Sequence, residues 1–297
     1  MAGRFAPTPT SALHVGNLRT ALAAYLAARS TGREFKLRVE DLDHARIEAA
    51  GELAAGQLRD LATLGLVHDG PVVRQSGRAG AHEAALAALG DQVYECFCSR
   101  REIALAAHAP HAADGLRPYP GTCRDLSPSR RDELRRHRSP ALRVCADAAE
   151  ATVLDALAGE VTGVVDDFVV RRGDGVFAYN FAVVVDDGFQ GVDQVVRGDD
   201  LLSSAPRQAW LARQLGLPVP EYGHVPLAVA GDGGRLAKRD GAISLERLLA
   251  QGWTVGRVVA WLARSLGLDC PDDVDVADLV GLFDWANVPR DPWVVEF

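Results

Sequence analysis

The first ninety residues alternate between helical and strand-like patterns of hydrophobic and polar positions. The alanine- and leucine-rich run over residues 17–30 predicts a helix that ends near Gly32. From residue 35 to 40 apolar and charged side chains alternate, which predicts a strand with Arg38 and Glu40 on one face. Two further helices are predicted over residues 48–66 and 79–90. Such alternation of strand and helix is typical of α/β domains built on a parallel sheet.

This alternation of predicted strands and helices stops near residue 93 and resumes beyond residue 160. Between 93 and about 145 the chain is rich in arginine, proline and cysteine, and we interpret this part as an insertion into the sheet domain. The later apolar run Val183–Val185 is typical of a buried strand. The remaining predictions are strands at 161–170, 176–186, 195–200 and 224–230, a glycine-rich hairpin turn at 171–175, and helices at 203–215, 243–251 and 254–266.

The composition excludes several classes of protein. The chain has 297 residues, of which 48% are hydrophobic, enough for a substantial core. No apolar run approaches the roughly 18 residues that a membrane span needs, and the strand-like start fits no signal peptide, so we expect a cytoplasmic protein without a membrane partner. The formal net charge of -8 argues against indiscriminate binding of nucleic acid, but not against a shaped RNA site.

The segment over residues 4–17 carries the first candidate site. Pro7 and Pro9 hold a loop between an apolar start and a helix, and His14 and Gly16 lie where that helix begins. Backbone N–H groups and the helix dipole converge at such a point and favour phosphate, and Gly16 lets a ligand approach the backbone. An ordinary strand–loop–helix entry with an incidental histidine is the alternative interpretation.

Further candidate side chains follow the predicted strands. Glu40 and Asp43 end the second strand, where carboxylates can hold an ammonium group or a ribose; a solvated acidic turn is the alternative. Tyr179 and Arg197 belong to predicted strands that lead to the same sheet edge, where they can bind an amine or a carboxylate, although Tyr179 could equally be packed in the core. Lys238, in a glycine-led loop, can reach the phosphates of a transition state, unless it is an ordinary surface lysine.

Three of the five cysteines cluster in the predicted insertion. The alternating Cys96 and Cys98 place both sulfurs on one side, and Cys123 follows some two dozen residues later, a spacing more typical of a metal site than of disulfides. Structural zinc is tetrahedral, and three residues between the thiols are available as a fourth ligand: His108, His111 and Tyr119. Buried free cysteines are the alternative. The arginine-rich stretch over 124–143 faces either an RNA backbone or solvent.

The order of these motifs resembles that of the class I aminoacyl-tRNA synthetases in their glutamyl form. The family's first signature matches Arg4-Phe-Ala-Pro-Thr-Pro with Leu-His14-Val-Gly16, and its second matches Arg235-Leu-Ala-Lys238-Arg239. The stretches between them that recur in the same order are Arg38-Val-Glu40-Asp-Leu-Asp43, Tyr119-Pro-Gly-Thr-Cys123, Ala178–Asp187 and Val196–Leu202. Asn17 stands where the first signature has a second histidine.

The 58 residues after Arg239 are too few for the anticodon-binding region of a full glutamyl-tRNA synthetase. The chain therefore resembles the shorter glutamyl-Q tRNA(Asp) synthetase family, which activates glutamate with ATP without tRNA and esterifies it to queuosine at the wobble position of tRNA(Asp). The resemblance implies a monomer whose partners are L-glutamate, ATP with Mg²⁺, one structural zinc ion and the queuosine-bearing anticodon loop. Two alternatives are a shortened glutamyl-tRNA synthetase that charges a tRNA 3′ end, and a non-catalytic zinc-bearing RNA-binding paralogue.

The patterns and the resemblance together predict an α/β fold: a Rossmann-type nucleotide-binding parallel sheet with an inserted zinc-bearing α+β subdomain and a short helical C-terminal region. The expected segments are 1–92 and 176–240 for the two halves of the catalytic domain, 93–175 for the insertion and 241–297 for the helical region.

The resemblance also implies a role for each matching residue. Glutamate binding falls on eight positions: Arg4, Phe5, Ala6, Pro7, Thr8, Glu40, Tyr179 and Arg197. ATP binding falls on His14, Gly16, Asn17 and Lys238, of which His14 and Lys238 are catalytic. The zinc ligands are Cys96, Cys98, Tyr119 and Cys123, so the resemblance selects Tyr119 over the two histidines.

Overall fold

The computed structural model describes residues 1–42, 50–99, 101–103, 119–234 and 243–296. The strands of these ranges are, in chain order, β1 (Ala2–Phe5), β2 (Glu34–Val39), β3 (Val73–Arg74), β4 (Val93–Cys96), β5 (Ala141–Val144), β6 (Ala149–Asp155), β7 (Gly159–Val165), β8 (Val169–Arg171), β9 (Val192–Gly198), β10 (Glu221–Val225), β11 (Ala228–Val229) and β12 (Trp293–Val294).

The helices of the same ranges follow in turn. They are α1 (Val15–Ser30), α2 (Ala50–Thr63), α3 (Ala79–Ala88), α4 (Pro128–Arg135), α5 (Tyr179–Gln190), α6 (Ala205–Gln214), α7 (Leu245–Ala250), α8 (Val255–Ser265) and α9 (Val276–Leu279), with short 3-10 turns at Gln75–Arg78, Gly90–Gln92, Asp199–Ser204, Val280–Leu282 and Trp285–Asn287. Within the described ranges, no helix combines the length and the apolar character that a membrane crossing requires.

A mostly parallel seven-stranded sheet organises the molecule. Its strands lie in the order β3-β2-β1-β9-β10-β6-β7, and every neighbouring pair is parallel except the β6–β7 hairpin. The central strands β1, β2, β9 and β10 therefore end at one edge, although they come from opposite halves of the chain. In sheets of this kind ligands bind at the carboxyl ends of the strands.

Helix α1 joins this sheet to the C-terminal helices. Because the helix is rich in alanine, its backbone can approach the sheet closely: a Cβ atom added at Gly3 of β1 would lie 2.8 Å from the Cβ of Ala28. Leu18, Leu22 and Leu26 are completely or almost completely buried in a core that also contains the apolar face of α8. The helical region therefore supports the first strand and the start of α1.

The predicted insertion contains a separate antiparallel sheet of the order β4-β5-β8. The β6–β7 hairpin also falls within residues 93–175, and it pairs with β10 of the main sheet through Tyr222 and Asp155. The structure thus divides this stretch between two sheets, and the four segment boundaries given above stay predictions. The hairpin turn expected at 171–175 is confirmed by the hydrogen bond of 2.8 Å from the Arg172 N–H to the Val176 carbonyl.

The strand predicted over 176–186 is wrong, because residues 179–186 belong to helix α5. Its apolar run Val183–Val185 is buried as expected, but a short apolar run fits a buried helix as well as a buried strand. The helix ends at Gly191, whose φ of 66° provides a left-handed C-cap. Its length of 12 residues exceeds the usual strand, and the apolar side packs between the two sheets.

Two other predicted strands are each divided in the structure. The strand expected over 161–170 becomes β7 and β8, which belong to different sheets. The strand expected over 224–230 becomes β10 and β11, interrupted at Pro226, which cannot donate a ladder hydrogen bond. Strand β11 then pairs with the C-terminal strand β12.

Gly223 in β10 tests how tightly the C-terminal region packs on the sheet. An added Cβ would lie 2.4 and 2.6 Å from ring atoms of Trp285, so Gly223→Ala should lower the free energy of unfolding by about 1–3 kcal/mol. The matched control is Gly80→Ala in α3, where an added Cβ meets nothing within 4 Å and stability should stay equal or rise. Urea denaturation measures both; equal stability of the two variants would contradict this packing.

Candidate active site

A cavity of about 1070 Å³ opens at the carboxyl edge of the central strands. Eleven of the residues selected from the sequence line it: Arg4, Phe5, Ala6, Pro7, Thr8, His14, Gly16, Asn17, Glu40, Tyr179 and Arg197. They come from β1 and the loop after it, the start of α1, the end of β2, the start of α5, and β9. A smaller cavity of about 310 Å³ adjoins the first and shares Thr8, Thr10, Glu40 and Tyr179 with it.

Four charged side chains are buried together beside this cavity. The guanidinium of Arg38, which has no exposed surface, donates from Nη1 to Asp187 Oδ1 at 2.6 Å and from Nη2 to Glu40 Oε1 at 3.3 Å. Arg4 donates from Nε to the same Asp187 oxygen at 3.3 Å and from Nη1 to the Val196 carbonyl at 3.3 Å. Two cations and two carboxylates thus neutralise one another away from water.

The two carboxylates of this group respond differently to their surroundings. Burial raises the pKa of Glu40, and Arg38 and Arg4 only partly offset that effect. Burial also disfavours the charged form of Asp187, but Arg38 and Arg4 outweigh it and hold the pKa of that carboxyl below its usual range. Asp187 is therefore the fixed anion of the group. Glu40, which lines the cavity, would gain from an added cation.

Tyr179 and Arg197 meet in the lining of the same cavity. Arg197 lies on β9 as predicted, whereas Tyr179 is not on a strand but is the first residue of α5. Arg197 Nη1 lies 3.5 Å from the Tyr179 hydroxyl, and the Arg197 residue is only 5% exposed. A buried guanidinium beside a phenol is suited to a carboxylate ligand, since both groups donate hydrogen bonds.

His14 caps the helix whose start faces the cavity. Its Nδ1 accepts a hydrogen bond of 3.1 Å from the Gly16 N–H, and Asn17 Oδ1 accepts one of 3.3 Å from the His14 N–H. Burial lowers the pKa of His14, so its ring is neutral at pH 7. Because Nδ1 accepts, the ring proton is on Nε2, which leaves one N–H donor for a ligand. Gly16 allows close packing here, as an added Cβ would lie 3.0 Å from Ala228.

Lys238 lies outside the described residues, as do Asp43, His108 and His111. The described chain on each side of Lys238 nevertheless reaches the cavity: Ala228 and Ser244 both line it. The Val15 N–H donates to the Ile243 carbonyl at 2.9 Å, which attaches the later side to the start of α1.

Sequence reasoning did not identify two residues that hold parts of the site in place, Asp187 beside the cavity and Gln57 in its lining. Asp187 is the last residue of the motif Ala178–Asp187, and it follows directly on a segment that the sequence predicted to be a strand. That prediction gave no reason to expect an ion pair with Arg38. Gln57 on α2 lines the cavity, is 2% exposed, and donates from Nε2 to the carbonyls of Thr8 and Ser11 at 3.2 and 2.8 Å. It thereby holds the loop after β1, and no local sequence signal marks a glutamine on a helix for that task.

The cysteine cluster does not line the cavity; Cys96 ends strand β4 of the second sheet, and Cys98 and Cys123 lie in segments beside that sheet. The sulfurs of Cys96, Cys98 and Cys123 all lie within 4.8 Å of one another, and those of Cys98 and Cys123 are 3.5 Å apart. In a tetrahedral site with zinc–sulfur bonds of about 2.3 Å, the sulfurs are separated by roughly 3.8 Å, so this arrangement could hold a metal ion.

Tyr119 is the described side chain that adjoins all three thiols. Its hydroxyl lies 3.4 Å from Cys96 Sγ and 3.7 Å from Cys98 Sγ, and it accepts a hydrogen bond of 2.9 Å from the Cys123 N–H. The guanidinium carbon of Arg143 lies 3.8 Å from the centre of the Tyr119 ring. Burial raises the pKa of Tyr119. The Arg143 cation over the ring favours the phenolate form, and a metal ion bound at the hydroxyl would lower the pKa as well.

Several arginines of the stretch over 124–143 have acidic partners. Arg124 binds Asp167 at 2.8 Å, and Arg135 binds both Asp132 at 2.7 Å and Glu95 at 2.8 Å. These pairs reduce the local positive charge that the sequence suggested for contact with an RNA backbone.

Comparisons with known proteins agree with this geometry. The family model "tRNA synthetases class I (E and Q), catalytic domain" matches residues 1–274. A glutamyl-Q tRNA(Asp) synthetase of Nocardia farcinica is 54% identical over 99% of this chain and 93% of that protein. One of Cutibacterium acnes is 56% identical over 94% of this chain and 79% of that protein.

A solved structure of a glutamate tRNA ligase from Elizabethkingia meningosepticum, in complex with its amino acid, has the same fold. Its TM-score is 0.81 at 24% identity, and the match covers 99% of this chain and 66% of that longer chain. The family match and the near full-length similarity agree with the sheet topology and with the cavity at its carboxyl edge. The chain therefore belongs to the class I tRNA synthetases of the E and Q type.

Proposed function

We propose that this chain activates L-glutamate with ATP and transfers the glutamyl group to queuosine in the anticodon loop of tRNA(Asp). The observation that carries the proposal is that Glu40, Tyr179, Arg197 and the capped start of α1 all line the same cavity. The three side chains are suited to binding an amino acid, and the helix start is suited to binding a phosphate. Relatives named glutamyl-Q tRNA(Asp) synthetase that match almost the whole chain support the same function.

In the proposed complex, glutamate lies between Glu40 and the pair Tyr179 and Arg197, all of which line the cavity. Glu40 accepts hydrogen bonds from the α-ammonium group, which favours the charged form of this buried carboxyl. Arg197 and Tyr179 donate to a carboxylate of the substrate. Arg4 to Thr8 form the floor of the site, and Arg4 is held there by Asp187. An uncharged analogue would leave a buried charge of the site unpaired, so it is rejected.

ATP lies against the start of α1. The Nε2–H of His14 and the backbone at Gly16 and Asn17 contact phosphate oxygens, and Lys238 supplies positive charge as the transition state forms. A carboxylate oxygen of glutamate attacks the α-phosphorus and expels pyrophosphate, which gives glutamyl-adenylate. A hydroxyl of the queuosine cyclopentene ring then attacks the acyl carbon and releases AMP. The protein contributes mainly positioning and charge stabilisation.

One structural zinc ion is held, in this proposal, by Cys96, Cys98, Cys123 and Tyr119. When bound, zinc would cross-link strand β4 to the segment around Tyr119 and add to the stability of the folded second sheet. The anticodon loop binds across this part of the molecule, because single-stranded loops present splayed bases for recognition. Action as a monomer in the cytoplasm stays a prediction.

Two assays on the purified chain test the proposed function. We expect ATP–pyrophosphate exchange that depends on L-glutamate and needs no tRNA, and transfer of labelled glutamate to tRNA(Asp) that carries queuosine but not to tRNA(Asp) that lacks it. Nuclease digestion of the product should recover the labelled glutamate on a nucleoside of the anticodon loop and not on the 3′-terminal adenosine. Transfer to the 3′ adenosine of unmodified tRNA would contradict the proposal and show that the chain is a shortened glutamyl-tRNA synthetase. Folded protein without exchange activity would show that it is a non-catalytic paralogue.

Glu40→Gln tests the proposed ammonium site. The substitution keeps the shape of the side chain but removes its charge, so the KM for glutamate in the exchange assay should rise about tenfold or more while the KM for ATP stays near that of wild type. Glu221→Gln is the matched control, since Glu221 lies on β10 in an exposed ion pair with Arg33 and does not line the cavity. An unchanged KM for glutamate in folded Glu40→Gln protein would rule out this role.

Metal analysis and thermal unfolding test the cysteine site. The purified chain should contain about one zinc per molecule, and Cys98→Ser should lose most of it and unfold at a lower temperature. Cys145→Ser is the control, because Cys145 is partly exposed and does not belong to the three-sulfur cluster. Tyr119→Phe should weaken zinc binding in competition with a chromophoric chelator. Zinc affinity equal to that of wild type would exclude the phenol as the fourth ligand.

A further inference from the structure

Behind Arg197, a buried line of polar groups runs across three neighbouring strands. Arg197 on β9 and His224 on β10 are direct partners in the sheet, and Arg197 Nε lies 2.9 Å from His224 Nε2. His224 Nδ1 lies 2.6 Å from Oδ2 of Asp155, the last residue of β6. The three residues are 5%, 3% and 2% exposed, so no part of this line is substantially hydrated.

The chemistry of the groups fixes the direction of every hydrogen bond in this line. A guanidinium has no acceptor, so Arg197 Nε–H donates and His224 Nε2 accepts. The imidazole proton is therefore on Nδ1 and is donated to the Asp155 carboxylate. Asp155 is itself held in place, since its Oδ1 accepts from the N–H groups of Leu157 and Ala158 at 2.9 and 2.8 Å. Its Oδ2 also accepts from the His224 N–H at 3.1 Å.

The rest of the guanidinium is constrained from the other side. Arg197 Nη1 donates to Gln208 Oε1 at 2.8 Å, and Nη2 donates to the Leu201 carbonyl at 3.2 Å. Gln208 is fixed in turn by its donation to Asn180 Oδ1 at 2.9 Å. With the Tyr179 contact these bonds use four of the five N–H donors, and one Nη2 hydrogen is left for a ligand.

The residues of this line differ in their access to the substrate. Arg197 lines the main cavity, whereas Asp155 and His224 are not among the described residues that line it. They therefore act on a ligand only through Arg197. Burial lowers the pKa of His224, the neighbouring guanidinium lowers it further, and the Asp155 hydrogen bond opposes both, so the ring is neutral at pH 7.

We propose that His224, held by Asp155, is a positioning residue that orients Arg197 for recognition of a substrate carboxylate. This inference rests on the proposed function, in which Arg197 binds glutamate. A neutral histidine with its proton on Nδ1 presents an acceptor to Arg197, and the guanidinium plane is thereby fixed relative to the cavity before substrate arrives. Fixing the plane in advance reduces the entropy lost when the carboxylate binds.

Two substitutions of His224 separate contact with Arg197 from contact with Asp155. The amide of His224→Asn reaches the position of Nδ1, so it can keep the Asp155 contact but does not reach Arg197. The amide of His224→Gln reaches the position of Nε2 and can accept from Arg197. In glutamate-dependent pyrophosphate exchange, His224→Asn should raise the KM for glutamate at least about tenfold without a matching rise in the KM for ATP, and His224→Gln should restore most of the loss.

His82→Gln is the matched control. His82 is also fully buried and bonded to a carboxylate, Asp186, at 3.1 Å, but it is not among the described residues that line the cavity. We expect it to lower thermal stability with little change in the KM for glutamate. Equal KM values for glutamate in His224→Asn and wild type would overturn the proposal, as would an equal rise for His224→Asn and His82→Gln.

Nitrogen-15 NMR of the histidine rings provides a test that needs no active variant. The resonances of His224, assigned by their loss in His224→Gln, should show a neutral ring protonated on Nδ1 at pH 7. The same resonances can be assigned in wild-type protein from nuclear Overhauser contacts to Tyr222, whose ring lies 5.8 Å from that of His224, so a ring protonated on Nε2 would overturn the proposal even if the variants failed to fold. Failure of the proposed function is distinguishable, because wild-type protein would then lack glutamate-dependent exchange whatever the state of His224.

Discussion

Mutual neutralisation of buried charges is the constraint on which the cavity depends. Arg4, Arg38, Glu40 and Asp187 come from three distant parts of the chain, and each is at most 8% exposed. Moving any one of them out of water alone is costly, so the four are stable only when they lie together. Asp187 contacts both guanidiniums and therefore fixes the distance between β1, β2 and α5. Glu40 completes the group but faces the cavity, where a ligand can share its charge.

Parallel topology explains why these residues converge. Strands β1, β2, β9 and β10 run in the same direction, so the segments after them meet at one edge regardless of their separation in the sequence. The same edge receives the start of α1, where His14 satisfies a helix N–H with one ring nitrogen and leaves the other for a ligand. The cavity lining thus combines buried charges with the backbone and imidazole donors at the start of α1, an arrangement suited to joining an amino acid to a nucleotide.

Rigidity behind the cavity distinguishes this site from a set of surface residues. Arg197 is held by His224 on one side and Gln208 on the other, and the loop after β1 is held by Gln57. A guanidinium that is already oriented loses little freedom when a carboxylate binds. Beside the second sheet, three sulfurs and a phenol converge in a small apolar cluster, an arrangement that could hold a metal ion.

The sequence by itself determined the α/β class, most helices, eleven of the 24 described residues that line the cavity, and the cysteine cluster. Hydrophobic periodicity, the loop prolines, the helix start at His14 and the spacing of Cys96 and Cys98 are all local features of the chain. The sequence did not determine that Val183–Val185 are helical, since a short apolar run satisfies burial in either conformation. Nor did it indicate the partners of Asp187, Gln57 and His224. Those contacts join residues 27 to 183 positions apart and exist only once the parallel strands are ordered, so only the tertiary structure decided which buried charges meet and which side chains orient the binding residues.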